Sequence, residues 1–122
     1  MMDEKNEIAS LSFLFAVRIV KLYKYLNETK KEYTLSRQLL RSGTSIGANV
    51  TEAQSAQSKK DFISKMSIAQ KEARESAYWI RLLQETDYLP KESSKVKSLE
   101  NELESIVRLL SAILISSKNT ET

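Results

Sequence analysis

Two glycines and one proline in 122 residues leave this chain little material for turning. A sheet of this size needs several tight turns, and tight turns draw on glycine and proline. A few long helices joined by short connectors need far fewer. Both glycines also sit in one segment, RSGTSIGANVTEA (41 to 53), at Gly43 and Gly47. The length fits one domain and can bury a real core. Hydrophobic residues at 41% are too many for a disordered chain, so the helices have something to pack.

Periodicity places four of them. Ile8, Leu11, Phe15, Ile19, Leu22 and Leu26 step by three or four and mark a first helix over 8–26. Leu14, Val17 and Val20 widen that stripe, as expected of a helix packed between two neighbours. The connector NETKKEY has room for one helical turn, Thr29 and Glu32 having capping-box spacing. A second helix is expected over 36–56, with Ser36 as N-cap and an apolar stripe of Leu39, Leu40, Gly43, Ile46, Gly47 and Val50. Each glycine costs a helix about 1 kcal/mol relative to alanine. Two within one apolar stripe point to close packing, with a flexible kink as the other reading.

Ser58 and Asp61 have capping-box spacing ahead of a third helix over 59–86. Its inner face is Phe62, Met66, Ala69, Ala73, Ala77, Ile80 and Leu83, whose alanines are natural partners for the two glycines. Pro90 falls at the start of a fourth helix, 91–117. That helix carries an unbroken heptad of Val96, Leu99, Leu103, Ile106, Leu110 and Ile113, with a frayed tail at 118–122. The fold expected is an all-α, antiparallel, up-down-up-down four-helix bundle in a single domain.

The composition excludes several chemistries. The chain has no cysteine, hence no disulfide and no thiolate metal site. It has no histidine, which removes His-based acid–base and nucleophilic catalysis and the Glu-x-x-His metal sites of helical bundles. No Gly-rich phosphate loop or metal-ligand cluster is present, so no catalytic residue, metal or cofactor is expected. The polar, acidic start MMDEKNEIAS does not resemble a signal peptide. The apolar cluster Leu11 to Val20 is too short to span a bilayer. A cytoplasmic location away from membranes is the expectation.

Two polar stripes are candidate sites. On the second helix Gln38, Arg41, Ser45, Asn49 and Glu52 form a file opposite Leu39, Gly43 and Val50. A solvated face is one reading. The small neutral residues, poor helix formers in mid-helix, fit a half-buried contact with another helix or a second subunit. Arg41 and Glu52 lie about 16 Å apart along the helix, too far to pair. Glu75 on the third helix is one candidate partner for Arg41. On the third helix Lys60, Ser64, Ser67, Lys71, Arg74, Tyr78 and Arg81 share a stripe with four cations, no acid and one aromatic. Such a row can track a phosphate backbone, with Tyr78 stacking on a base, or can be an ordinary solvated face. Asp61, Glu72 and Glu75 flank it and dilute its field.

With these residues in view, the chain resembles the four-helix-bundle family encoded in intervening sequences of bacterial 23S rRNA genes, the S23 ribosomal proteins. The resemblance rests on Gln38 with Arg41, SIGANVTEA (45 to 53), SKKDF (58 to 62), Ile68-Ala69 and Glu75. It departs from the family pattern at Ala53, where glycine is usual, and at Lys71-Glu72, where Gly-Ser is common. The proline usual before the second helix is also absent. The resemblance implies a bundle that assembles into a homo-oligomeric ring, a pentamer. It also implies an association with RNA. A related branch, the accessory protein of diversity-generating retroelements, binds RNA and a reverse transcriptase. Arg41, Ser45, Asn49, Glu52 and Glu75 carry over as motif residues, assigned to structure and assembly. The expected function is a non-enzymatic, oligomeric bundle that binds structured RNA such as 23S rRNA through Lys60, Lys71, Arg74, Tyr78 and Arg81. The alternative is a protein–protein adaptor with no direct nucleic-acid role.

Overall fold

A computed structural model describes residues 3–119, and it is helical throughout apart from three connectors. The helices are α1 (Glu4–Glu28), α2 (Leu35–Gln54), α3 (Lys59–Glu85) and α4 (Ser94–Asn119). Each packs on two neighbours, in the cyclic order α1, α2, α3, α4. Cross-helix contacts fix every neighbouring pair as antiparallel. Asn27 reaches Ser36 while Ser12 lies under Gly47. Arg41 pairs with Glu72 and Glu75 while Glu52 pairs with Lys65. Gln70 meets Ser111 and Gln84 meets Glu100. Arg18 binds Ser98 and Glu102 while Lys5 and Ser117 line one groove. The chain is an all-α, up-down-up-down bundle.

The core is a column of fully buried side chains from all four helices, among them Phe15, Ile19, Ile46, Met66, Ile80, Ile106 and Leu110. All six heptad residues of α4 are buried. Three apolar expectations fail. Leu14 and Val20 are exposed, because α1 has neighbours on two sides only and these residues lie outside both seams. Ala77 is exposed too, and the polar Ser76 next to it is buried instead.

Helix ends follow local hydrogen bonding rather than the limits of the apolar pattern. α1 begins four residues earlier than the periodicity suggests, because the Asp3 side chain accepts from the Asn6 N–H at 2.9 Å. α3 starts on Ser58, whose hydroxyl accepts from the Asp61 N–H at 3.0 Å. α4 starts at Ser94, not 91. Pro90 lies in the preceding turn, and Ser93 closes the first helical turn by accepting from the Lys97 N–H at 3.0 Å. At its other end Lys118 and Asn119 are still helical, and 120–122 lie outside the described residues.

Ser36 is not the cap of α2. It sits inside the first turn, buried; the N-cap position is Thr34, whose own side chain makes no capping bond, and the capping side chain is Glu32. The Glu32 carboxylate accepts from the N–H groups of Thr34, Leu35 and Ser36 at 3.1, 2.9 and 2.7 Å. Burial alone pushes this carboxyl up, but the donors of Leu35, Ser36 and Thr34 outweigh it and hold its pKa below the usual value. The Thr29–Glu32 spacing therefore does not mark a further helical turn. Glu32 reaches forward into α2, and the chain passes through a left-handed residue at Lys31 (φ 57°).

The glycines are closely packed, but against α1 and not against the alanines of α3. A Cβ on Gly43 would lie 2.9 Å from both Cγ1 and Cγ2 of the buried Ile19. A Cβ on Gly47 would lie 3.3 Å from the Ser12 carbonyl oxygen. The seam between α2 and α3 is made by small polar residues instead. The Ser42 and Ser76 hydroxyls meet at 2.9 Å, fully buried.

Gly43→Ala gains helix propensity of about 1 kcal/mol but overpacks Ile19, which costs about 1–3 kcal/mol. Net destabilisation is expected in urea melts. The same substitution in an Ile19→Ala background, where the clash is gone, is expected to be neutral or stabilising. Glu32→Gln is expected to lose about 2 kcal/mol at neutral pH, the worth of charge-assisted bonds to a buried carboxylate. The folded pKa of Glu32 is depressed, so its contribution is present above the ordinary carboxylate range and is lost as pH falls through the folded value. Melts of the parent and Glu32→Gln should therefore converge in acid.

Candidate functional site

α3 presents the basic stripe outward. Lys60, Ser64, Lys71, Arg74, Tyr78 and Arg81 are all exposed, and Ser67 is half-buried among them. From Lys60 to Arg81 the row spans about 32 Å of helix. Lys60, Lys71, Arg74 and Arg81 form no ion pair with any described residue. The flanking acids are held elsewhere. Glu72 and Glu75 both bind Arg41, Glu72 at 3.3 Å. Asp61 accepts from the Gln57 N–H at 3.4 Å. Glu85 binds Lys91, which holds its pKa below the usual value, and Arg81 adds to that effect. The dilution expected from these acids is therefore partly cancelled by cations lying off the stripe.

The polar file of α2 turns toward α3. Arg41 supplies one guanidinium to two carboxylates, Glu72 and Glu75, one helical turn apart. Glu75 also accepts from the Trp79 indole N–H at 3.1 Å. Glu52, at the other end of the file, meets Lys65 at 3.7 Å. Between them Ser45 donates to the Arg41 carbonyl at 2.6 Å and Asn49 to the Ser45 carbonyl at 2.9 Å. Glu75 is the partner of Arg41 that its position on the third helix suggests. Glu72 and Trp79 complete the cluster, and sequence reasoning did not place them in it. The signal for Glu72 was its three-residue spacing from Glu75, which helix surfaces produce too often to be informative.

Arg18 makes the corresponding link between α1 and α4. Its guanidinium binds Glu102 and donates at 3.1 Å to the Ser98 hydroxyl and to the Lys95 carbonyl. Next to it, a groove of about 530 Å³ runs between α1 and the start of α4. A second groove, of about 390 Å³, lies where Lys5 covers the Phe62 ring at 4.9 Å. Neither is lined by a carboxylate or by a residue of the basic stripe. Among the described residues no group of acidic side chains could hold a metal ion, and no helix is long and apolar enough to cross a membrane. What the surface does offer is an exposed, unpaired row of cations with one aromatic in it.

The family model of the 23S rRNA-intervening sequence protein matches residues 4–112. The chain belongs to that family. It is also similar to the crystal structure of a protein of unknown function from the S23 ribosomal protein family of Bacteroides thetaiotaomicron. The two are 48% identical, the match covers 92% of this chain and 98% of that one, and the TM-score is 0.88. No curated protein matches the chain significantly. In this member of the family, the segment SIGANVTEA occupies the middle and end of α2. Its glycine side lies on α1 and its polar side on α3. The departure at Ala53 is accommodated without a longer helix: Ala53 is buried, and α2 ends one residue later, at Gln54.

Proposed function

We propose that this member of the 23S rRNA-intervening sequence family is a non-enzymatic, cytoplasmic bundle that binds structured RNA, such as 23S rRNA, through the basic face of α3. The observation that carries this reading is the row Lys60, Lys71, Arg74 and Arg81, exposed and free of ion pairs, with the neighbouring carboxylates engaged by Arg41 and Lys91. Cations not used within the fold are available to phosphates. The family's link to ribosomal RNA genes supports the same choice of ligand.

We further propose that the protein is a homo-oligomer, a pentameric ring by its family resemblance. An uncharged surface supports self-association. Phe13 is 67% exposed on α1, and Val20 lies near it on the same side of the helix. The register set by Ser12 against Gly47 and Ile19 against Gly43 places Phe13 level with the uncharged Ala48 and Val20 close to Leu40 and Thr44 of α2. An exposed apolar strip without charge is costly to leave in water and is typical of an interface. The same strip favours a second reading, an adaptor that uses this face for another protein, with the cations of α3 only keeping the assembly in solution.

Binding to 23S rRNA fragments is expected to fall by about two orders of magnitude between about 50 and 200 mM salt, if four cations each neutralise a phosphate. Lys71→Glu combined with Arg74→Glu should weaken it at every salt concentration. Flat salt dependence, or no binding at low salt, would count against the RNA reading, and a protein captured after nuclease treatment would favour the adaptor. For assembly, light scattering should give about five times the 13.9 kDa chain mass, and Phe13→Asp with Val20→Asp should return the mass of one chain. A parent protein already at the mass of one chain removes the ring.

A further inference from the structure

We propose that Arg74, Tyr78 and Arg81 form a stacking clamp for an unpaired nucleotide of RNA, the base lying on the Tyr78 ring and the flanking phosphates on the two guanidiniums. This deepens the RNA reading by naming the structural class of RNA that the α3 ridge takes.

Tyr78 is 58% exposed, so much of its ring is open to a ligand. It is nonetheless held in position. The Trp79 ring meets it edge-on, with centroids 5.1 Å apart and planes at 73°. Trp79 is fixed in turn by its indole bond to Glu75, and Glu75 by Arg41. The tyrosine is thus braced on one side through the α2–α3 seam while much of the residue stays in solvent. The exposed residue beside it, Ala77, is small and adds no bulk to the approach.

Arg74 and Arg81 stand four residues before and three residues after Tyr78. Both spacings put side chains next to one another on a helix, with Cβ atoms about 5–6 Å apart. The three therefore make a continuous Arg–Tyr–Arg strip about 10 Å long. Nearby acids oppose it only in part, because each has a partner off the strip. Glu75 is held by Arg41, and Glu85 by Lys91. On α4, Glu104 is held by Arg108 at 2.7 Å, and Glu100 accepts from Gln84.

A duplex would use this strip poorly. Its bases are stacked on one another, so Tyr78 would meet only backbone, and the deep, narrow major groove of A-form RNA excludes side chains. Single strands, bulges and loops present base faces, and any base can stack on an aromatic ring while arginines take the phosphates.

The test is fluorescence anisotropy at low salt, with one labelled, unstructured RNA strand free and the same strand annealed to its complement. The free strand should bind the parent protein about tenfold more tightly than the duplex. Tyr78→Ala should weaken single-strand binding about five- to 150-fold, the range found when a stacking aromatic is truncated. It should leave the duplex affinity and the thermal melt unchanged, since the side chain is largely exposed. Tyr78→Phe, which keeps the ring, should bind like the parent. Equal affinity for the two RNA forms, or indifference to Tyr78→Ala, overturns the clamp while leaving RNA binding intact. Failure of both forms to bind overturns the clamp and the RNA reading together.

Discussion

The close approach of α1 and α2 at Gly43 and Gly47 is the contact on which the rest of the bundle depends. Without a Cβ at Gly43, the branched end of Ile19 seats directly against the α2 backbone. At Gly47, α2 runs so near the α1 main chain that a Cβ there would lie 3.3 Å from the Ser12 carbonyl oxygen. An approach this tight fixes the rotation of α2 about its own axis, because only one face can come so near. Once that face is turned to α1, a helix with 3.6 residues per turn must turn Arg41, Ser45, Asn49 and Glu52 toward α3. The antiparallel register between α2 and α3 then follows from the ion pairs at the two ends of that file and the Ser42–Ser76 hydroxyl contact between them.

The same use of glycine explains how the chain turns without it. Both glycines lie in mid-helix, so the connectors place other residues in the left-handed region, Lys31 at φ 57° and Asp87 at φ 69°. For L-residues other than glycine this conformation is disfavoured by roughly 1–2 kcal/mol. Hydrogen bonding offsets it. After Lys31, Glu32 closes the turn by donating its N–H to the Leu26 carbonyl, and its carboxylate gathers three N–H groups of α2. After Asp87, the N–H groups of Tyr88 and Leu89 both return to the Leu83 carbonyl.

How much of this was legible in the sequence depends on the range of the interaction. The α4 heptad was fully readable, because its period alone dictates a buried seam and all six residues are buried. The existence of close packing at the glycines was readable, since two inside one apolar stripe are hard to explain otherwise. Which helix fills the space was not. Alanines on α3 and an isoleucine on α1 are equally plausible occupants until the register is known. The start of α2 was missed for a related reason. Ser36 has the chemistry of a cap, but a glutamate four residues upstream, in a left-handed turn, can reach the same N–H groups. The pair Arg41–Glu75 was legible as a pairing. The triad with Trp79 needed the rotation of α3, which a face with alanine and serine in its middle defines loosely.

The rotation also links the family's motif to the exposed face. Arg41 lies on α2, half-exposed, and has no place in the basic row itself. By holding Glu72 and Glu75 it removes two negative charges from the edge of that row. Through Glu75 it also fixes the indole that braces Tyr78. An exposed arginine pair of this kind contributes little to stability, because water screens it. Its larger effect is on the potential of the neighbouring helix, where a carboxylate turned outward would compete with any phosphate for Lys71 and Arg74. On this argument, the Arg41 and Glu75 of the motif act as supports: they position and unmask a surface on the next helix rather than forming it.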